Sequence, residues 1–461
     1  MSETSAAAPR IPNRSMGLKL LLVCGLAVLM AIPAALVLAL LMDRTHRADQ
    51  VTGEIGRLMG GPQTFLGPVI AVPYQVPAQA KDQAPTPGVY VLFPARARAA
   101  VQAASQVRTR SLFHVPVYRA DLDLEASFDL AGASAGAPSG AVFDWSRAQL
   151  VVGASDFRGA QADAAITVAG KPLQLSPSTL ISDVSAPLGD NQTRPLAVNE
   201  TLRFMGAPVA DFARPGARFD AETNLKFSGA QRLAILAYGK TTDVRITSDW
   251  PSPSFDGGFL PSRQQVGAKG FTASWSVPFI ARGVPAEGGQ DVLTRLGPTS
   301  IGVSFVEPGN PYQAVGRSLK YALLFVGLVF LAYFVLETLS GRRVHPAQYL
   351  LVGLAQMIFY LLLLSIAEQT GFDWAFLISA GATVGLISAY AGWAFESRAR
   401  GAAALVVFGA LYALIYLLMR LEDLALLVGA VSSFAAIAAV MYLTRKIDWY
   451  GVGREVARGT G

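Results

Sequence analysis

Gly132-Ala133-Ser134-Ala135-Gly136 fits G-x-S-x-G, the pattern that lifts a nucleophilic serine onto a strained turn between a strand and a helix. Such a serine needs a histidine beside it as general base. Here the motif lies in AGASAGAPSG (131–140), an Ala/Gly/Ser/Pro stretch directly after an alternating strand, and the surrounding segment offers only His46 and His114. It reads as a flexible loop. AILAYGKTT (234–242) approaches the phosphate-cradling P-loop, with Lys240 in the lysine position, but Ala234 replaces the first glycine and no helix follows. Both flanks alternate as strands, so this string reads as a hairpin turning at Gly239 and Lys240.

Metal chemistry has little to work with. His46, His114 and His345 are scattered along the chain, and Cys24 is the single cysteine, which excludes a disulfide and any Cys-based site. His345 lies in a basic loop, where a headgroup contact or plain solvation suits it better than metal ligation. Glu337 and Glu368 fall at the ends of apolar runs, within expected reach of water, and no ionisable residue falls mid-run. Gln356 is the one strongly polar residue deep in such a run, and is expected to bond a neighbouring helix. No catalytic, cofactor-binding or metal-binding residue is assigned, no cofactor is implied, and the chain reads as a non-enzyme.

The elements that carry these residues are of two kinds. Of the 461 residues 52% are hydrophobic and 15% charged, against about 25% charged in an ordinary soluble domain. Six stretches have the roughly 20 apolar residues that a membrane helix needs: 20–42, 321–339, 349–367, 374–395, 401–419 and 424–443. The first exceeds a signal-peptide core and lacks an A-x-A site, so it reads as an uncleaved anchor. Tyr321, Tyr349, Trp374, Trp449 and Tyr450 fall where aromatic belts are expected. Gly381, Gly385 and Ala389 form a small-residue stripe, as do Gly429, Ser433 and Ala436, and both are expected to be close helix contacts.

Threading follows from basic residues in short loops. With the N-terminus in the cytoplasm, the inside segments hold Arg10, Arg14, Lys19, Arg342, Arg343, Arg398, Arg400, Arg445, Lys446, Arg454 and Arg458. The short outside loops hold only Arg420, beside Glu422 and Asp423. These inside segments account for the whole net charge of +6, which removes compositional support for a nucleic-acid partner.

Between the first two apolar runs the period changes to two. YRADLDLEASFDL (118–130) and FTASWSV (271–277) alternate strictly, as half-buried strands do. AAITVAGKPLQLSP (164–177) reads as a hairpin around Gly170, while PTPG (85–88) and WPSPSFDGG (250–258) read as connections. ADQVTGEIGRLM (48–59) looks helical, with Val51, Ile55, Leu58 and Met59 on one face, continuing the first membrane helix.

EDLALLVG (422–429) followed by VMYLTRKIDWY (440–450) resembles the C-terminal signature of the CreD family, bacterial inner-membrane proteins linked to cell-envelope integrity. VHPAQYLLVG (344–353), FYLLLLSIAEQTGFDWAFLISAGATVGL (359–386) and GGPQTFLGPVIAVPY (60–74) resemble it too, in order across residues 50–450. The resemblance implies a place under a two-component envelope response and an association with tolerance to colicin and β-lactams. It carries over no catalytic residue.

The expected fold class is a membrane α-helical bundle of six transmembrane helices plus a large all-β, sandwich-like periplasmic domain. The expected division is a cytoplasmic tail (1–19), the first membrane helix (20–42), the β-rich domain (43–320), a five-helix bundle (321–443) and a cytoplasmic tail (444–461). The expected partners are the lipid bilayer and an envelope protein or component on the periplasmic side. The expected function is support of envelope integrity and stress response by non-catalytic binding or scaffolding. A small transporter or lipid-handling protein is the alternative, and a periplasmic hydrolase the third.

Overall fold

The computed structural model describes residues 16–77, 84–110, 113–187, 199–307, 311–340, 344–420 and 425–445. Arg10, Arg14, Arg342, Arg343, Glu422, Asp423, Lys446, Trp449, Tyr450, Arg454 and Arg458 lie outside the described residues. The chain forms two units, Met1–Arg47 with Gly309–Gly461, and Ala48–Pro308. In chain order the helices are α1 (Met16–Leu29), α2 (Ala31–Leu58), α3 (Phe279–Arg282), α4 (Pro311–Lys320), α5 (Ala322–Ser340), α6 (Pro346–Thr370), α7 (Phe372–Ala394), α8 (Arg398–Arg420) and α9 (Ala425–Thr444).

The Ala48–Pro308 unit is a sandwich of two sheets. In the strand Phe113–Asp129, Tyr118, Ala120, Leu122, Leu124, Ala126 and Phe128 are buried while Arg119, Asp121, Glu125 and Ser127 are exposed, as the alternation requires. This strand sits inside an eight-stranded sheet ordered Arg263–Gly267, Gly270–Val277, Thr241–Ser248, Arg96–Arg110, Phe113–Asp129, Arg218–Ala230, Ala165–Val168 and Lys171–Gln174. The second sheet has eleven strands and the spine Val184–Pro187, Asn199–Pro208, Gln149–Ala154, Gln63–Val76, Arg232–Leu236, Ser300–Phe305 and Pro253–Gly257. Phe65, Ile235 and Ile301 from one sheet share a core with Leu122, Ile246 and Trp275 from the other.

Several sequence expectations meet corrections here. The hairpin around Gly170 forms, with Ala169 and Gly170 at φ 46° and 82° in its two-residue turn. The expected hairpin at Gly239 and Lys240 does not: Arg232–Leu236 and Thr241–Ser248 belong to different sheets. The chain crosses between them at Tyr238, whose hydroxyl bonds the carbonyl oxygens of Arg98 (2.7 Å) and Glu125 (3.0 Å). Burial pushes that hydroxyl's pKa well up. Its ring lies over Gly67, where a Cβ would come within 2.4 Å of it. Crossing instead of turning makes two pairings parallel, 63–65 with 233–235 and 241–248 with 96–103. Parts of the expected connections 85–88 and 250–258 are strands, Thr86–Leu92 and Pro253–Gly257. Pro253 is tolerated because its strand ends the sheet's spine.

The helix expected over 48–59 is the end of α2. Ile55 and Met59 pack on Val115, Val117 and Ala230, with Gly56 against the Ala230 side chain. Leu58 is not on that face; it is 82% exposed. Beside this helix Arg232 is buried in an ionic knot. It pairs with Asp256 at 2.8 Å and reaches Ser300 at 2.9 Å and Thr64 at 3.4 Å. Gly302 makes the room, since a Cβ there would meet Asp256 at 2.2 Å.

In the other unit six helical stretches are long and apolar enough to cross a membrane: the α1–α2 run, α5, α6, α7, α8 and α9. A further helix that was not among those expected, α4, buries Ala314, Val315 and Ser318. Pro33 has no N–H to offer Leu29, so a hydrogen bond is missing beside Met30, while the bonds from Met30 to Leu26 and from Ala34 to Met30 (3.1 Å each) carry the helical run from α1 into α2. Met30 fits into α6 at Gly353, where a Cβ would lie 2.6 Å from its sulfur. Tyr349, expected in an aromatic belt, is instead fully buried, whereas Trp374 is 64% exposed.

The two small-residue stripes fare differently. Gly429 on α9 is buried, with Ser433 and Ala436 half-buried, as a contact requires. Gly381, Gly385 and Ala389 on α7 are exposed, and a Cβ on either glycine would meet nothing within 4 Å. The tight approach of α7 and α8 is at Gly392 and Gly401, where a Cβ on Gly401 would sit 3.1 Å from the Gly392 Cα. Gly381→Leu should therefore leave each single copy folded and inserted, whereas Gly401→Leu should cause its loss; protease resistance of the membrane fraction distinguishes them. Asp256→Ala should destabilise the β unit by about 3 kcal/mol by stranding a buried guanidinium. Urea denaturation followed by tryptophan fluorescence measures this.

Candidate functional site

The β unit receives and returns its chain at one end. Gln63 pairs with Leu233 at the start of the receiving strand, and Ser304 pairs with Arg232 near the end of the returning strand. From Gln63 to Tyr74 the receiving strand advances about 35 Å, at ~3.3 Å per residue. At its far end lies a cavity of about 570 Å³. Its aromatic wall is Tyr74 and Phe143, ring centroids 5.6 Å apart, backed by Tyr90. Gly88 pairs opposite Tyr74 and lets the ring lie flat across the strand, since a Cβ would be 2.5 Å from it. Gln75, Asp144, Arg147, Thr179 and Gln290 supply the polar lining. Aromatic faces with one carboxylate, one guanidinium and amides suit reversible binding of a partly polar ligand.

Behind this wall lies the G-x-S-x-G stretch. Ser134 takes φ 74°, and its backbone N–H and that of Gly136 each donate to the Glu287 carboxylate at 3.0 Å. The loop is thus an anion nest filled by the protein's own side chain, pinned where the sequence suggests flexibility. It leads to the short strand Val142–Phe143 and a 3₁₀ turn at Trp145–Arg147, without the strand-to-helix geometry of a nucleophile elbow. Burial, and then the charge of Glu287, push the Tyr90 hydroxyl up to about 12. At Lys240 the backbone N–H groups are also occupied: Gly239 donates to Thr242 Oγ1 at 3.0 Å and Lys240 to the Pro94 carbonyl at 2.8 Å.

Sequence reasoning missed Arg282. It closes α3 at this same end, is 3% exposed, and stacks on Phe93 at 3.9 Å. None of its three side-chain nitrogens has a hydrogen-bond partner among the described residues. Burial pulls its pKa down to about 10. Ile280 and Phe279 beside it are 91% and 46% exposed. A buried cation without hydrogen-bond partners, next to bare apolar side chains, costs the fold stability at this end. An alternating pattern could not have shown this, because α3 is one turn long.

Glu337 and Glu368 both correct the expectation of access to water. Glu337 is 3% exposed; it accepts from Lys19 Nζ of α1, from the Val344 N–H at 2.8 Å and from the Tyr349 hydroxyl at 2.7 Å. The Glu368 side chain is 8% exposed and accepts from the Tyr312 hydroxyl of α4 at 3.0 Å, with Arg44 of α2 at 3.9 Å. Gln356 is fully buried, yet neither amide atom has a partner among the described residues, so the expected bond to a neighbouring helix is not made. His345 is the N-cap of α6, its Nδ1 accepting from the Ala347 N–H at 3.2 Å. His114 faces Glu307 at 3.2 Å. Among the described residues no three of His, Cys, Asp or Glu stand close enough to share a metal ion.

The family model described as Inner membrane protein CreD matches residues 15–450, across both units. The chain belongs to the CreD family. Inner membrane protein CreD of Escherichia coli (strain K12) is 31% identical over 439 residues, 92% of each chain. With its six apolar helices, this CreD-family member is a multi-pass inner-membrane protein that carries a large mixed-sheet β unit. The features that distinguish that unit, the Tyr74 cavity and the stacked Arg282, lie within the stretch that the CreD model covers.

Replacing an orphan buried charge by an apolar side chain of similar length relieves its desolvation. Arg282→Met should raise the thermal midpoint of the solubilised protein by a few degrees. A fall on differential scanning fluorimetry would mean that the guanidinium has a partner within the fold.

Proposed function

We propose that this protein supports the integrity and stress response of the cell envelope by non-catalytic binding, with the β unit on the periplasmic side and both termini in the cytoplasm. The observation that carries this reading is the placement of the Tyr74 cavity and Arg282 at the end of the β unit opposite the one where the chain enters and leaves. Surfaces at the end of the unit remote from the chain's entry and exit are clear of both connections and available to an envelope component. The family supports an envelope role, and the excess of basic residues in the inside loops supports the threading. The hydrolase reading lacks support at Ser134, because the loop's amides are committed to Glu287.

In a strain lacking the protein, the Tyr74→Ala/Arg147→Ala double variant should fail to restore envelope-stress tolerance at normal abundance. Ser134→Ala and Lys240→Ala should restore it. Full rescue by the cavity variant, with failure of Ser134→Ala, would turn the reading to hydrolysis. A reporter active only in the periplasm should work when fused after Phe372 and be silent after Arg343 or Arg398; the reverse would invert the threading.

A further inference from the structure

The Tyr74 cavity is built on a row of three residues across three strands. Tyr74 pairs with Gly88 on one side and with Phe143 on the other, and directly opposite residues share one face of a sheet. Gly88 leaves the Tyr74 ring lying over its own strand, and the Phe143 ring stands 5.6 Å away with its plane at 38° to it. Both rings are half-buried, and strand pairing fixes their backbones on either side. The cavity thus has two flat apolar surfaces that are in place before a ligand arrives.

Around these surfaces polar groups stand uncommitted. Arg147 and Gln75 are exposed, and among the described residues neither side chain, nor the Tyr74 hydroxyl, has a hydrogen bond or ion pair. Asp144 accepts from the Ser146 hydroxyl at Oδ1 and keeps Oδ2 for another donor. The set is mixed: a guanidinium only donates, a carboxylate only accepts, and an amide and a phenol do both. Its ligand must answer with donors and acceptors of its own beside flat C–H surface. A pyranose ring does so, because its hydroxyls take both roles and its C–H groups form an apolar face that stacks on an aromatic ring. An acyl chain leaves every polar group unanswered. Addition of a peptide strand is poorly served, since Pro87 in the wall strand has no N–H. Arg147 has no carboxylate within the fold, so an acidic substituent on the ligand completes the match by a charge-assisted pair. A volume of about 570 Å³, within the ~300–1,000 Å³ of small-ligand sites, suits a short oligosaccharide.

We infer that the Tyr74 cavity binds an acidic oligosaccharide, with one pyranose ring stacked on Tyr74 and Phe143 and a carboxylate of the sugar held by Arg147. Asp144 and Gln75 take the ring hydroxyls. This names the ligand class of the binding role proposed above, and rests on that reading.

Isothermal titration of the full chain in mild detergent tests this with two carboxylate-bearing probes: cell-wall glycan chains stripped of peptide by an amidase, and the core oligosaccharide of delipidated lipopolysaccharide. At least one should bind, and the tighter identifies the source. Tyr74→Ala should weaken that binding about tenfold. Arg147→Gln changes an exposed side chain that holds nothing in the fold, so it keeps the test open if Tyr74→Ala disturbs the wall. It should weaken the acid about tenfold and the methyl ester of the same sugar by less than about twofold. Binding of neither saccharide, unchanged affinity in Arg147→Gln, or tighter binding of the released cell-wall peptide than of either glycan overturns the inference. If it falls while the Tyr74→Ala/Arg147→Ala variant still fails to restore envelope-stress tolerance, the cavity serves another ligand class; if that variant restores tolerance, the binding role falls with it.

Discussion

Arg232 joins the strand that brings the chain into the β unit to the strand that takes it out. Its guanidinium touches Thr64 on the first, Ser300 on the second and Asp256 on the strand beside it, while the hydroxyl of Tyr118 in the opposite sheet donates to its carbonyl oxygen at 2.8 Å. A buried guanidinium tolerates little choice in its partners, because an uncompensated charge costs several kcal/mol. One ionic contact thus sets the relative register of the central strands, and Gly302 is glycine because of it. Features far along those strands inherit that register. The Tyr238 crossing and the pairing of Tyr74 with Gly88 fall where they do because the strands are aligned at the other end.

Among the described residues three buried charges are handled in three ways. Arg232 is matched by a carboxylate and hydroxyls, and Glu337 by an ammonium, a phenol and a backbone N–H. Arg282 has only the face of Phe93. Cation–π stacking recovers part of the lost hydration and none of the hydrogen bonding. The first two lie where strands or helices must be held together, and the third at the end of the β unit bearing the cavity. Such a charge lowers the stability of that end of the unit.

Period-two alternation made the outer faces of 118–130 and 271–277 legible, because one face of each strand is wet and the residue types report it. The same reasoning could not see which sheet a strand joins. AILAYGKTT looks like a hairpin because two strands flank a glycine, and only the burial of Tyr238 between sheets distinguishes a crossing from a turn. The membrane spans were legible from length alone, but the rotation of α7 was not. A helix apolar on every side carries no sign of which side meets protein and which meets lipid, so Gly381 and Gly385 looked like a packed face. Glu337 looked solvated because nothing local announces Lys19. The cavity draws on residues 73–75, 87–89, 142–147, 179–180 and 290, and no one of these stretches resembles a binding motif.

The bond between Lys19 and Glu337 spans 318 positions of sequence. At a synthesis rate of about 5–20 residues per second, the lysine waits on the order of half a minute for its partner to be made. During that interval the first helix is in the membrane and its ammonium must be held by headgroups or water at the surface, where a long side chain can still reach them. The whole β unit emerges while the helix bundle is unfinished. Closing the pair is therefore a late step of biogenesis, and a chain truncated before α5 carries a first helix whose cation has no carboxylate to receive it. Such a helix is marked as unassembled by its own charge.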